Sequence, residues 1–319
     1  MQYEKRVKSV KRKVDGVLLL DKPRGLSSNA ALQKARRLFA AEKAGHTGTL
    51  DPLASGLLPL CLGEASKFSA DLLHADKTYR AEVALGARTT TGDREGDVLE
   101  TRPVTCSAED VRALLPRFTG DIRQVPPMYS ALKRQGRPLY ELARQGLEVE
   151  RAERQVHIHR LTLLECALDE AEATPRLSLE VRCSKGTYIR VLAEDLGQAL
   201  GCGAHLLALR RTAVGDLDIA QAHTLAALET LAATDEATLT ACLMPVDSLL
   251  RSLPEARLTA LASERFRHGN PVEWAGKCAE DGGLARVYDA DGKLLGVGEQ
   301  RQDGRLWPKR LLATSCSCA

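Results

Sequence analysis

Residues 45–56 read Gly45-His46-Thr47-Gly48-Thr49-Leu50-Asp51-Pro52-Leu53-Ala54-Ser55-Gly56, and no other stretch constrains the chain as tightly. Its three glycines remove side chains where the backbone must turn sharply or approach something closely. Pro52 fixes its own φ and drives Asp51 toward an extended conformation, so the carboxylate leaves the loop in one direction. His46 sets a flat polar ring five residues earlier. An aimed carboxylate beside such a ring suits chemistry on a planar group. The same residues also suit a plainer role, because Asp before Pro in a glycine-rich loop commonly forms a turn or caps a helix.

The flanking segments predict an α+β fold. Residues 16–20 form a short apolar strand that ends in the turn Asp21-Lys22-Pro23-Arg24-Gly25. Ser27 or Ser28 caps a helix with Leu32, Ala35 and Phe39 on its buried face. Residues 79–85 and 177–183 alternate apolar and polar side chains, the signature of half-buried strands. Ser107 and Asp110 have capping-box spacing ahead of Val111, Leu114, Leu115 and Phe118. Gly186-Thr187 opens a helix with Ile189, Leu192, Leu196 and Leu200 on its apolar face, and Gly201-Cys202-Gly203 stops it. Helices rich in Ala and Leu fill about 221–250. From about 252 the texture turns to short strands and turns, with a hairpin centred on Asp291-Gly292.

Composition narrows the function classes. A net charge of +3 does not by itself imply a nucleic-acid partner, but its distribution does more. Lys5, Arg6, Lys8, Lys11, Arg12 and Lys13 crowd the N-terminus, and Arg123, Lys133, Arg134, Arg137, Arg144, Arg151 and Arg154 fall in one polar excursion at 123–154 with helical pattern around 139–147. Such clusters fit phosphate contact, or a solvated face. Aromatic residues make up 4%, too few for a surface that binds single strands mainly by stacking. No apolar run reaches the ~20 residues of a membrane span, and no secretory leader is visible. Nine cysteines form no framework; Cys166 and Cys183 read as buried reduced thiols, and Cys316-Ser317-Cys318 is too short for a metal site. A cytoplasmic protein is expected.

Three further side chains stand beside Asp51 as candidates. Arg190 falls in the first turn of its helix, where a cation opposes the helix dipole and calls for a carboxylate; a pair with Asp51 would hold that carboxylate in place, and an ordinary surface arginine is the alternative reading. Tyr79 starts an apolar strand face, where a ring could stack on a base or simply fill the core. Tyr188 precedes Arg190 by two residues with the same two readings. His157 and His159 share a strand face but lack a third ligand, so they read as exposed strand residues. No phosphate loop, dinucleotide fingerprint or acidic cluster for magnesium is present, and neither cofactor nor metal is expected.

Taken in order, these motifs resemble the TruB family of pseudouridine synthases, the branch that modifies uridine 55 in the T-arm of transfer RNA. The resemblance rests on the 45–56 loop, Asp21-Lys22-Pro23, Gly25-Leu26-Ser27-Ser28, Asp76-Lys77-Thr78-Tyr79, Pro126-Pro127-Met128-Tyr129-Ser130-Ala131-Leu132-Lys133, Cys183-Ser184-Lys185-Gly186-Thr187-Tyr188-Ile189-Arg190, Gly201-Cys202-Gly203-Ala204-His205 and Leu209-Arg210-Arg211. It implies a mixed, largely antiparallel sheet decorated with helices over residues 1–250, followed by a small β-rich RNA-binding PUA-like unit over 251–319. It implies Asp51 as the nucleophile, Arg190 as its partner, and Tyr79 stacked on the flipped uracil. His46 would fill the space the base vacates, and Tyr188 and Leu209 would help line the pocket. The excursion would grip the T-arm, and the protein would act as a monomer with no obligatory protein partner. A binding-only RNA factor would not need Asp51, Tyr79 and Arg190 together, and a guide-dependent enzyme would not need the excursion.

Overall fold

The computed structural model describes residues 11–130, 132–134, 136–168, 174–278 and 282–313, with only the backbone of Asp71. Lys5, Arg6, Lys8, Ala131 and the Cys316-Ser317-Cys318 tail lie outside the described residues. One large mixed sheet organises the chain. From one edge its strands run His223–Thr224, Gly16–Lys22, Ser55–Leu62, Ala204–Val214, Lys77–Leu85, Arg176–Cys183, Arg154–Ala167 and Gly120–Gln124. Along this path only the first pair and the pairing of Ser55–Leu62 with Ala204–Val214 are parallel; the other neighbours are antiparallel.

One sheet face carries two separate apolar cores. Helix Ser28–Leu38 sits over the first strands, packing Ala31, Ala35 and Phe39 on Leu18, Leu20, Leu58 and Leu60, with Leu228 of helix Leu225–Thr234 beside them. Ser27 caps the first helix by accepting from the Ala30 N–H, while Ser28 turns inward to the Leu50 backbone. Helix Ile189–Ala199 covers the other half, placing Leu192 and Leu196 on Ala81, Val83, Leu179 and Val181. Tyr79 and Leu209 border both cores and so mark the seam between the two helical layers. The opposite face is closed by Phe68, Leu249 and Leu250 against Val17, Leu19 and Leu57. Beyond it, Glu255–Arg257, Leu284–Tyr288, Leu294–Gln300 and Leu306–Leu311 make a four-stranded sheet around Phe266, Val287 and Leu295.

Several local expectations shift. The first strand continues through Lys22. The helix after Gly186 starts at Ile189 with Tyr188 as N-cap, two residues later than Thr187, because Gly186 turns with a φ of 80° and the Thr187 hydroxyl bonds back to the Ser184 carbonyl. The C-terminal unit contains a helix, Ala260–Arg267, where only strands and turns were expected. It buries little beyond Ser263 and Phe266, so its apolar pattern is faint. Cys166 is only half-buried, near a register shift between Leu163 and Glu165 in its strand, whereas Cys183 is buried. The capping box at Ser107, the stop at Gly201 and the hairpin around Asp291-Gly292 fold as read.

Candidate active site

The 45–56 loop opens at the seam between the two cores. Of its glycines, Gly56 is the constrained one: its φ is 104°, and a Cβ there would lie 2.2 Å from the Arg211 carbonyl oxygen. Gly56 is also where the parallel strands meet, paired with Arg211. Gly48 takes a φ of 87°, whereas Gly45 has an ordinary conformation and open space around it.

Asp51 and Arg190 come together across this loop. Arg190 Nη2 lies 3.0 Å from Asp51 Oδ2, with the arginine side chain 6% exposed and the aspartate 46% exposed. The guanidinium is caged on its other sides. Nη1 lies 3.6 Å from Asp93 Oδ2 and donates to the Thr91 carbonyl at 3.1 Å, and Nη2 donates to the Tyr129 carbonyl at 2.5 Å. A buried arginine with two carboxylates and two carbonyls has little freedom to swing, so it fixes where Asp51 points. Asp93 is itself buried and held by the Thr91 hydroxyl at 2.6 Å and the Glu95 N–H at 3.0 Å.

Arg211 braces the loop from beneath. It is almost fully buried and donates to the Leu57 carbonyl at 2.8 Å and the Gly48 carbonyl at 3.3 Å. Its charge reaches Lys22, His46, Lys77 and Tyr79. Burial pushes the Tyr79 phenol up, against the pull of Arg211. Burial and Arg211 together push the His46 imidazole down, which keeps this ring in its neutral form more readily than a solvated histidine. Lys22, fully buried, donates to the Pro23 and Leu26 carbonyls; burial lowers it to about 8, with Asp51 acting in the opposite sense.

The remaining candidates fall around this centre. Tyr79 pairs with Arg211 across adjacent strands and Leu209 with Ala81, so both look onto the seam. His46 ends the strand Ala44–His46, paired with Leu60. Tyr188 caps the helix that carries Arg190, and its ring lies under the Arg154 guanidinium, 5.1 Å from centroid to Cζ. His157 and His159 each meet a carboxylate, Asp121 at 2.8 Å and Asp76 at 3.0 Å, and among the described residues no group of three donors could hold a metal. In the excursion Arg123, Lys133, Arg134, Arg137 and Arg144 are exposed, while Arg151 and Arg154 are half-buried. No helix among the described residues is long and apolar enough to cross a membrane.

Lys22, Asp93, Gln124 and Arg211 complete the site without a role legible in the sequence. Asp93 looks like a turn former after Thr89-Thr90-Thr91-Gly92. Arg211 offered the clearest signal, the second of two adjacent arginines inside a strand that is mostly apolar.

Three family patterns cover the chain: TruB family pseudouridylate synthase (N terminal domain) at residues 36–189, tRNA pseudouridylate synthase B C-terminal domain at 190–251, and pseudouridine synthase II TruB, C-terminal, at 254–312. The tRNA pseudouridine synthase B of Dechloromonas aromatica is 61% identical over 301 residues, 94% of this chain and 96% of that protein. Its counterpart in Burkholderia mallei is 58% identical over 313 residues, 97% of each chain. Among solved structures, a chain of an H/ACA RNP bound to a substrate RNA containing 2'-deoxyuridine superposes with a TM-score of 0.68 at 24% identity, covering 93% of this chain and 84% of that one. That likeness establishes the shared fold.

Proposed function

This chain belongs to the TruB family of pseudouridylate synthases, and from that premise we propose that it isomerises uridine 55 in the T-loop of transfer RNA. It is a tRNA pseudouridine synthase, an isomerase. In the reaction the N1–C1′ bond of uridine breaks, the uracil turns, and a C5–C1′ bond forms. C5 loses a proton and N1 gains one, so atoms and electrons balance without a co-reactant, and no cofactor or guide RNA is called for. Asp51 is the nucleophile that enables cleavage of the uracil–ribose bond, and Arg190 orients it. Tyr79 stacks on the uracil and is placed to take a proton; Tyr188 and Leu209 line the pocket. Extruding the base from the folded loop costs a few kcal/mol, which His46 offsets by filling the vacated space as a neutral ring.

One observation carries this reading: Asp51 is nearly half exposed while the cation that fixes it is buried. A buried cation holding a carboxylate that stays open to solvent leaves that carboxylate aimed and free to meet a substrate. Residues 1–250 form the catalytic part, with the basic excursion gripping the T-arm, and 251–319 the PUA-like part that adds RNA contact. The protein works as a cytoplasmic monomer.

The test is direct. Purified protein is incubated with an unmodified T-arm stem-loop, without metal or guide RNA, and pseudouridine is mapped. One uridine in the loop is converted by the wild type, and Asp51→Asn abolishes conversion while RNA binding persists. Absence of product from the wild type would overturn stand-alone catalysis, and equal activity in the variant would overturn the role of Asp51.

A further inference from the structure

Both roots of the basic excursion close on the residue that caps the catalytic helix. Gln124 ends the strand Gly120–Gln124, where the excursion leaves the sheet, and is only 1% exposed. Its side-chain amide grips the Tyr188 backbone from two sides: Oε1 accepts from the Tyr188 N–H at 3.0 Å, and Nε2 donates to the Tyr188 carbonyl at 3.2 Å. Arg154 begins the strand Arg154–Ala167, where the excursion returns. It lies over the Tyr188 ring and reaches the Gly186 carbonyl at 3.5 Å. Between the two roots, the Tyr129 carbonyl accepts from Arg190 itself.

The helix Ile189–Ala199 has no side-chain N-cap of its own and no acidic residue in its first turn. Its first turn is therefore positioned from outside, by groups on the excursion. A buried glutamine bonded to both polar groups of one residue ties the two peptides that flank it, beside the helix bond that the Tyr188 carbonyl accepts from the Leu192 N–H. Arg190 is two residues further on.

We propose that Gln124 is a positioning residue for the isomerisation: it anchors Tyr188, and through it aims the Arg190 guanidinium at Asp51, so that the segment contacting RNA phosphates and the catalytic pair move as one body. This rests on the reading of the site given under Proposed function. Gln124 acts through the backbone of Tyr188, to which both of its side-chain hydrogen bonds run. The consequence is a split between chemistry and binding. A misplacement of ~1 Å in a catalytic group can cost ~100-fold in rate, while the arginines of the excursion, and with them the affinity for RNA, are left in place.

The test compares wild type, Gln124→Met and Gln124→Glu on the T-arm stem-loop. Methionine keeps the length and loses both hydrogen bonds; glutamate keeps the acceptor for the Tyr188 N–H and loses the donor. Single-turnover rate, stem-loop Kd and thermal midpoint are measured for each. The expected result is a rate lowered about 10- to 100-fold in Gln124→Met, a smaller loss in Gln124→Glu, and a Kd within about threefold of wild type in both. An unchanged rate per folded molecule in a variant with a lowered thermal midpoint would overturn the proposal, leaving Gln124 a purely structural residue. A Kd that weakens in step with the rate would overturn it too. Should Gln124→Met not fold, the rate-against-Kd comparison for Gln124→Glu decides. Failure of the wild type to form pseudouridine would instead overturn the functional reading.

Discussion

Replacing Arg190 by methionine removes a cation held between two carboxylates of very different exposure, Asp51 at 46% and Asp93 at 6%. The two aspartates should respond differently. Asp93 Oδ2 lies 3.6 Å from the guanidinium, and at an effective dielectric of ~20 that attraction amounts to about 4–5 kcal/mol. Removing one partner of a buried pair typically costs ~3–5 kcal/mol, because the other charge stays desolvated. Asp51 regains water instead and adds only ~0–1 kcal/mol. Arg190→Met is therefore expected to lose about 3–5 kcal/mol out of a native stability of order 5–15 kcal/mol. Adding Asp93→Asn removes the orphaned charge and should restore most of that loss, whereas adding Asp51→Asn should restore almost none. Neither double variant should regain isomerase activity. The assay is urea unfolding followed by far-UV circular dichroism, comparing midpoints at constant m. Equal rescue by the two aspartate substitutions, or a loss below ~1 kcal/mol in the single variant, would refute the assignment of Asp93 as the structural counter-ion.

The glycines of the 45–56 loop should differ as sharply: Gly56→Ala, whose Cβ would sit 2.2 Å from a carbonyl oxygen at a φ of 104°, is expected to cost more than about 3 kcal/mol, and Gly45→Ala, in open space, less than about 1, read as shifts in thermal midpoint. Stability should rise with pH from about 8, because burial lowers Lys22 and Lys77 to about 8 while in the unfolded chain they hold protons to 10.5, so the unfolded state binds more protons across that window. Above the usual thiol value of 9.0 the trend should flatten, since Cys61 and Cys183 are pushed up to about 12 and the unfolded thiols ionise first; Cys61→Val should steepen the rise, and urea midpoints at each pH check it. Binding of the T-arm should weaken linearly on a log–log plot against salt, and Arg134→Ala should reduce that slope by about 1.

Much of this was legible in the sequence wherever the determinant is local. A serine three residues before its helix N–H, a capping box, a glycine stop and an Asp-Gly hairpin each act within a few residues, and their positions fold as read. The Asp51–Arg190 contact was one of two readings that the residues left open, since a cation in a helix's first turn is eased by a carboxylate or by solvent, and the family resemblance selected the pair. The roles of Gln124 and Arg211 were not legible, since they are defined by carbonyls and peptides brought in from distant segments, and Asp93 gains its role only when Arg190 arrives beside it; Lys22 bonds the nearby Pro23 and Leu26 carbonyls, but its burial comes from the fold around it. Gln124 meets Tyr188 across 64 positions, and Arg211 meets Gly48 across 163. The helix Ala260–Arg267 was hidden for another reason: Leu261, an apolar residue, faces solvent, and so breaks the stripe that would have announced a helix.

The parallel pairing of Gly56 with Arg211 also bears on when the site comes into being. During synthesis the loop carrying Asp51 emerges early, but its brace arrives with the strand Ala204–Val214, about a hundred and fifty residues later. Contacts so far apart in sequence close slowly, and parallel strands more slowly still. Over a long part of its synthesis the nascent chain thus carries Asp51 without the floor beneath its loop. The loop around Asp51 is braced only once the strand Ala204–Val214 has formed, so the site is completed late, by a long-range contact rather than by its own local sequence.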